Sequence, residues 1–226
     1  HVDSLVARLR EPRVRRIIEP MLAGGRATED TLDDDFSYVL GLGLIRAAGG
    51  RYEIANPIYR EVIPRALSHA QQMQIANEPS LYVRPDGSID MPRLIADWQV
   101  FWRKDGHLAA EGFSYRESGP HLMLMAFLQR ILNGGGRIER EYGLGRGALD
   151  LMIFWKNERH AIEVKVRRDT ETEAEALDQI AQYLERAGLD EGWLVMFDLR
   201  KTLSWQEKLF LRDVEHDKKR IHLAGC

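Results

Sequence analysis

Asp150, Glu163 and Lys165 are the residues of this chain whose types and spacing best suit chemistry. The two acids stand thirteen residues apart, and the lysine follows Glu163 after a single valine. Two carboxylates that converge on one point provide the oxygen ligands that Mg²⁺ or Mn²⁺ prefers. A lysine beside such a pocket can hold or deprotonate a water molecule for attack on phosphorus. The three residues therefore indicate metal-assisted hydrolysis of a phosphate ester.

A β-hairpin must position these three residues. A polar turn at residues 156–159 separates two largely apolar segments, 148–155 and 160–166. Folding about that turn brings Asp150 opposite the stretch 163–165, within a register step. Residues two apart in a strand share a sheet face, so Glu163 and Lys165 are expected to point to the same side of the sheet. Apolar and other residues alternate strictly along residues 160–166. Such alternation is also typical of an ordinary strand with one side facing solvent, and that interpretation stays open.

A helix is predicted after the hairpin. Thr170 and Glu173 form a Thr-x-x-Glu capping box, and Gly188 provides a C-terminal glycine. Gln179 and Tyr183 stand four residues apart, so they lie on one face at the edge of an apolar stripe. They contribute either to a site or to the boundary of the core. The stripe consists of Leu177, Ile180, Ala181 and Leu184.

An earlier helix is predicted from Pro120 to about Leu132, with proline at its first position. Glu117 stands just before this helix. It is either a third carboxylate of the site or an acid that favours a helix N-terminus.

The order of these elements resembles the PD-(D/E)xK nuclease superfamily. The Gln179…Tyr183 pair is similar to the version found in RecB-like members. The stretches 116–130, 133–142 and 145–150 resemble the C-terminal part of a bacterial AAA-ATPase-like family. Proteins of that family carry an ATPase domain, then a winged helix, then a PD-(D/E)xK-type domain.

The resemblance implies roles for single residues. Asp150 and Glu163 match the metal-binding acids, Lys165 matches the catalytic lysine, and the carbonyl of Val164 would complete the metal coordination. Glu117 matches the helix-borne acid, although Glu139 and Glu141 are alternatives.

The resemblance also implies supporting residues. Gln179 and Tyr183 would contact the nucleic-acid backbone or support the site. His121 would orient a ligand, or it is a histidine at the edge of the core.

The implied function is that of an Mg²⁺- or Mn²⁺-dependent nuclease, a hydrolase of nucleic acid with DNA as the expected substrate. The expected partners are DNA and the ATPase domain of a longer protein. The superfamily also includes members that have lost catalysis. A non-catalytic scaffold that binds nucleic acid or protein is therefore the alternative.

The resemblance and the element pattern predict an α/β (α+β) fold in three parts. Residues 1–68 are expected to form a winged helix, 69–106 a helical linker, and 107–226 a restriction-endonuclease-like mixed sheet flanked by helices. The expected reading helix of the first part carries five acids, which would repel phosphate. We therefore expect this part to pack against the ATPase domain. The five acids are Glu29, Asp30, Asp33, Asp34 and Asp35.

Composition limits the remaining possibilities. The 226 residues carry a net charge of −3, so the chain lacks the overall basic character of a strong nucleic-acid binder. One cysteine, Cys226, excludes an internal disulfide and a cysteine-based zinc cluster, and a reducing cytoplasm fits. We see no membrane span and no signal peptide, and a start at His1 suggests a fragment.

Other segments complete the expectations. Trp98, Phe101 and Trp102 could stack nucleotide bases, but packing into the core is the favoured interpretation. Residues 192–198 are expected to form a buried strand and residues 220–224 a last strand. The segment 204–213 is expected to be helical. The glycine-rich stretches lack the Gly-Lys-Ser/Thr of a P-loop, so this chain should not bind ATP in that manner.

Overall fold

The computed structural model of the protein describes residues 8–9, 11–22, 34–48, 51–56, 79–106, 118–132, 135–143, 148–167, 173–200 and 202–226. The chain divides into two compact units. The first comprises His1–Ala76 and His107–Phe127, and the second comprises Asn77–Gly106 and Leu128–Cys226. The boundary falls inside one helix, Ser118–Leu132.

In the described N-terminal part of the first unit, two helices are followed by a hairpin. These are α1 (Pro12–Leu22), α2 (Asp34–Gly41), β1 (Ile45–Ala48) and β2 (Arg51–Ile54). The two strands pair antiparallel. The core side chains of α1 recur at helical spacing, which explains why this segment folds as an amphipathic helix. The core of the helices consists of Val14, Ile18, Met21, Phe36 and Val39.

The sequence also predicts a short helix at residues 4–10 and another that begins at Asn56-Pro57, with asparagine as the cap and proline at the first position. Most of the first and nearly all of the second lie outside the described residues.

The second unit is built on a mixed six-stranded sheet. Its α-helices and strands are α3 (Met91–Phe101), α4 (Ser118–Leu132, shared with the first unit), β3 (Gly136–Gly143), β4 (Ala148–Trp155), β5 (Glu158–Arg167), α5 (Glu173–Ala187), β6 (Glu191–Asp198), α6 (Trp205–Lys208), β7 (Phe210–His216) and β8 (Lys219–Gly225). A 3-10 turn at Pro79–Tyr82 precedes α3, and a π turn at Trp102–Gly106 follows it. The strand order is β3-β4-β5-β6-β8-β7. The pairs β5–β6 and β6–β8 are parallel, and the others are antiparallel. This is a mixed α/β architecture, as expected.

Helix α5 covers one face of the sheet. Its predicted apolar stripe is buried against Met152, Ala161, Leu194 and Met196. The helix ends in a Schellman motif, in which Leu189 N–H donates to the carbonyl of Leu184 at 2.9 Å. Gly188 adopts the positive φ of 63° that this cap requires, as its position in the sequence predicts.

Helix α3 packs on the opposite face. Trp98 and Trp102 lie with ring centroids 6.0 and 4.8 Å from that of Phe197 in β6. Their exposed fractions are 0% and 2%, so neither ring can stack on a base. The interpretation of these two tryptophans as core residues is confirmed.

The expectation of a helix over residues 204–213 is wrong. The helix extends only over Trp205–Lys208, and β7 follows at Phe210. Residues 210–216 pair with β8 along their whole length. Asp217 and Lys218 close this hairpin with φ of 49° and 62°, the left-handed conformation of a type I′ turn. Cross-strand pairing therefore overrides the local helical tendency.

The expected strands at residues 192–198 and 220–224 are confirmed as β6 and β8. Within the described part of the chain, every helix is too short or too polar to cross a bilayer.

Candidate functional site

The hairpin of β4 and β5 places Asp150 beside Glu163, as the sequence predicts. The backbone pairing starts at Trp155↔Glu158 and ends at Leu151↔Ile162, so Asp150 lies across from Glu163 one step further. Beyond the last pair the side chains make the cross-strand contacts. Oδ2 of Asp150 accepts the N–H of Val164 at 2.8 Å, and Oε2 of Glu163 lies 3.5 Å from the Asp150 nitrogen.

The two acids and Lys165 lie on the sheet face that α5 covers. Met152 in β4 and Ala161 in β5 contact the apolar stripe of α5. Strand alternation puts Asp150, Glu163 and Lys165 on the same side as these two residues. Glu163 is only 1% exposed. The interpretation of this side as an ordinary solvent-facing strand surface is therefore wrong.

Lys165 connects the acids to α5. Its Nζ lies 3.3 Å from Oε1 of Glu163 and donates to Oε1 of Gln179 at 2.7 Å. Nε2 of Gln179 in turn donates to the hydroxyl of Tyr183 at 3.1 Å. The two α5 residues stand one helical turn apart and form a single hydrogen-bonded line with the lysine. The structure thus brings together five of the predicted site residues, namely Asp150, Glu163, Lys165, Gln179 and Tyr183.

The electrostatics of the site centre on Glu163. Burial raises the pKa of the Glu163 carboxyl to about 8, from an ordinary value of 4.5, and the nearby Asp150 carboxylate acts in the same direction. The ammonium of Lys165 lowers this pKa and offsets part of the effect. Perturbation by burial and a specific charged neighbour is typical of functional sites.

The donor set suits a hard divalent cation. Two carboxylates from neighbouring strands supply oxygen ligands, which Mg²⁺ and Mn²⁺ prefer. A cation here would favour the ionised form of Glu163, which burial disfavours. The residues present therefore fit such an ion. The peptide group of Val164 lies next to Asp150, and the role of its carbonyl as a ligand stays a prediction.

The predicted roles of two further residues are not tested by this geometry. Glu117 lies outside the described residues. His121 is half-buried in the first turn of α4 and belongs to the first unit. Among the alternative acids, Glu139 pairs with Arg137 at 3.0 Å, and the side chain of Glu141 lies outside the description.

A second cluster was not predicted from the sequence. Asp178 in α5, His216 in β7 and Asp217 in the following turn offer ligand atoms within 4.8 Å of one another. Nε2 of His216 lies 2.6 Å from Oδ1 of Asp178, so the pair connects α5 to the edge strand. Asp178 and His216 are 38 residues apart, and only prediction of both β7 and the packing of α5 could have joined them. The two aspartates are exposed.

Comparison with known proteins gives a family match. Residues 96–201 match a family described as a domain of unknown function (DUF8371). The matched range includes Asp150, Glu163, Lys165, Gln179 and Tyr183, the network of contacts described above. No curated protein and no solved structure matches the chain.

Proposed function

We propose that this chain contains a metal-dependent nuclease module that hydrolyses phosphodiester bonds of nucleic acid. One observation carries the proposal. Asp150, Glu163, Lys165, Gln179 and Tyr183, which sequence resemblance assigns to one site, form a continuous set of contacts on one sheet face. An ionisable group as buried as Glu163 costs free energy, which binding of a cation would offset.

Each residue of the network would have a distinct role. Asp150 and Glu163 would hold Mg²⁺ or Mn²⁺. Such an ion, when bound, neutralises phosphate charge and lowers the pKa of a coordinated water. The Nζ of Lys165 would hold the attacking water and stabilise negative charge that develops on the phosphate. The amide of Gln179, itself held by Tyr183, fixes the position of that Nζ.

The fold proposal extends this function to the whole chain. The sheet would be a restriction-endonuclease-like sheet, which the β5–α5–β6 crossover and the position of the acids support. The helices and hairpin of the first unit would form a winged helix. It would pack against an ATPase domain of a longer protein instead of reading DNA. Arg16 of α1 lies 2.8 Å from Asp35 of α2, so the positive charge of this arginine is already neutralised. This pairing supports docking against a protein domain instead of contact with DNA.

Cleavage of plasmid and single-stranded DNA with Mg²⁺ or Mn²⁺ tests the proposal. We expect Lys165→Met to lower the cleavage rate at least about 100-fold, because water positioning and charge stabilisation are both lost. Lys156→Met is the matched control, since Lys156 is an exposed lysine in the turn of the same hairpin. Equal background cleavage by the wild type and Lys165→Met would overturn the enzymatic proposal.

A second candidate function is a non-catalytic scaffold that binds nucleic acid or protein. The near-complete burial of Glu163 favours it, because a group only 1% exposed is difficult for a substrate to reach. This candidate predicts binding without turnover in any divalent metal.

A further inference from the structure

The row of charged residues on β5 continues beyond the nuclease-like network. Glu163, Lys165 and Arg167 are alternate residues of one strand, so all three point to the face covered by α5. Neighbours in such a row are separated by about 7 Å, twice the rise per residue of a strand. Arg167 is the last residue of β5. The row therefore runs from an acid through an amine to a guanidinium at the carboxyl end of the strand.

Arg167 carries one buried donor that the described part of the protein leaves unsatisfied. Its side chain is half-buried, and its buried Nε finds no hydrogen-bond partner among the described residues. Leaving a buried donor of a charged group unsatisfied costs free energy. Such a donor in a native fold calls for a ligand or another explanation.

The acid nearest in register is already engaged. In the parallel pairing of β5 with β6, Asp198 is the residue opposite Arg167. Its carboxylate instead accepts from Arg200, whose Nε lies 3.0 Å from Oδ1 and 3.1 Å from Oδ2. The backbone N–H of Arg200 also donates to Oδ1 at 3.0 Å. Arg200 thus neutralises the carboxylate that lies opposite Arg167 in the parallel pairing.

A guanidinium in this position suits a phosphate. Its planar set of five donors matches two phosphate oxygens at once. Arg167 lies two residues along the strand from Lys165, about 7 Å away. This separation is comparable to that of neighbouring phosphates in a nucleic-acid strand. Ligands of open α/β sheets bind outside the carboxyl ends of the parallel strands, which is where β5 ends.

We propose that Arg167 binds the phosphate next to the one positioned at Asp150 and Glu163. The nucleic-acid strand would then run along β5, from the acids toward the carboxyl end of the strand. This inference rests on the proposed nuclease function and adds a binding residue outside the network already described.

Binding of a labelled DNA duplex, followed by fluorescence anisotropy at several salt concentrations, tests the inference. The metal is removed with EDTA so that no cleavage occurs. We expect Arg167→Met to weaken binding about 10-fold or more, as for loss of a charge-assisted hydrogen bond. Loss of one phosphate contact should also reduce the slope of log affinity against log salt by about 0.9. A merely structural role would leave this slope unchanged.

Two further variants control the measurement. Arg167→Lys keeps the charge and should keep the wild-type slope with weaker binding, which separates a lost contact from a folding defect. Arg159→Met is the matched control, because Arg159 is exposed and lies on the same strand and side, about 26 Å away. Its affinity and slope should be those of the wild type. Under cleavage conditions, Arg167→Met should raise KM and leave kcat nearly unchanged.

The outcomes separate the two proposals. If the wild type cleaves DNA and Arg167→Met keeps the wild-type slope, the inference is wrong and the nuclease function stands. If Arg167→Met loses slope but the wild type never cleaves, the inference stands and the nuclease function is wrong. Failure of the wild type to bind either duplex or single-stranded DNA would overturn the inference, and the cleavage assay would still decide the nuclease function.

Discussion

The ion pairs of Glu11 and Asp35 in the first unit and the Glu163–Lys165 pair in the second lie in opposite surroundings. In the first unit, Arg8 and Arg13 each lie 2.9 Å from Glu11, and Arg16 lies 2.8 Å from Asp35. The three arginine side chains are about half exposed, at 51%, 46% and 54%. Ion pairs in such positions are solvated and contribute little to stability.

In the second unit the comparable pair is buried. The side chains of Glu163 and Lys165 are 2% and 16% exposed. The pKa values move in opposite directions. Hydrogen bonds from Arg8 and Arg13 lower the pKa of Glu11, whereas burial raises the pKa of Glu163 to about 8. We infer that burial and charged neighbours of a carboxylate indicate a functional site better than its presence in a charged motif does.

The largest expected effect on stability is that of Glu163→Gln. Above pH 8 and without metal, the wild type must ionise a carboxyl whose charged form burial disfavours, so Glu163→Gln should have the higher free energy of unfolding, by a few kcal/mol. Glu11→Gln in the first unit should leave the free energy of unfolding nearly unchanged, because the ion pairs of Glu11 are solvated. Denaturant titration of both variants with EDTA checks this difference. A loss of stability in Glu163→Gln would break the comparison.

The pH profile of the wild type sharpens the same point. The folded protein keeps the Glu163 proton between the ordinary pKa of 4.5 and the raised pKa of about 8, whereas the unfolded chain releases it. The stability contributed by protonated Glu163 is therefore fully present below 4.5 and is lost as the pH rises through about 8. The curves for wild type and Glu163→Gln should diverge over this window. Parallel curves would mean that Glu163 ionises in its buried position without cost.

A smaller effect, on activity alone, is expected in α5. Gln179→Ala releases the Nζ of Lys165 and should lower kcat about 10- to 100-fold, as for other residues that orient a site. Tyr183→Phe removes only the outer hydrogen bond of the line, so a decrease of about 5-fold at most is expected. Initial cleavage rates over a range of DNA concentrations separate kcat from KM. An effect of Tyr183→Phe larger than that of Gln179→Ala would contradict the proposed order of contacts.

The smallest effect is expected on the surface of the first unit. Arg16→Met breaks the pair with Asp35 and should change the free energy of unfolding by no more than about 1 kcal/mol. DNA affinity should stay the same, because this arginine is already neutralised. A clear loss of DNA affinity would show that the first unit contacts nucleic acid. The contrast between its exposed ion pairs and the buried Glu163–Lys165 pair would then fail.

The sequence predicted much of the site because local rules determine it. Two apolar segments around one polar turn specify the hairpin, and the register then puts Asp150 opposite Glu163. Spacing of two along a strand and of four along a helix aligned Lys165 with Gln179 and Tyr183. The capping glycine, Gly188, likewise needed only its place in the chain.

Long-range packing limited the prediction elsewhere. Alternation in β5 could not show that α5 covers Glu163, because burial depends on an element that follows later in the chain. Residues 210–213 were expected to be helical, yet pairing with β8 makes them a strand. The contact of Asp178 with His216 depends on both α5 and this strand, so no spacing rule could reveal it.

Calorimetric titration with Mn²⁺ tests most directly whether the buried carboxylates hold a cation. The wild type should bind Mn²⁺, and Asp150→Asn should abolish the binding. Asp178→Asn is the control, because it removes a ligand from the exposed cluster with His216 and should leave the binding intact. Binding that survives Asp150→Asn, or that disappears only in Asp178→Asn, would contradict the metal site at Asp150 and Glu163.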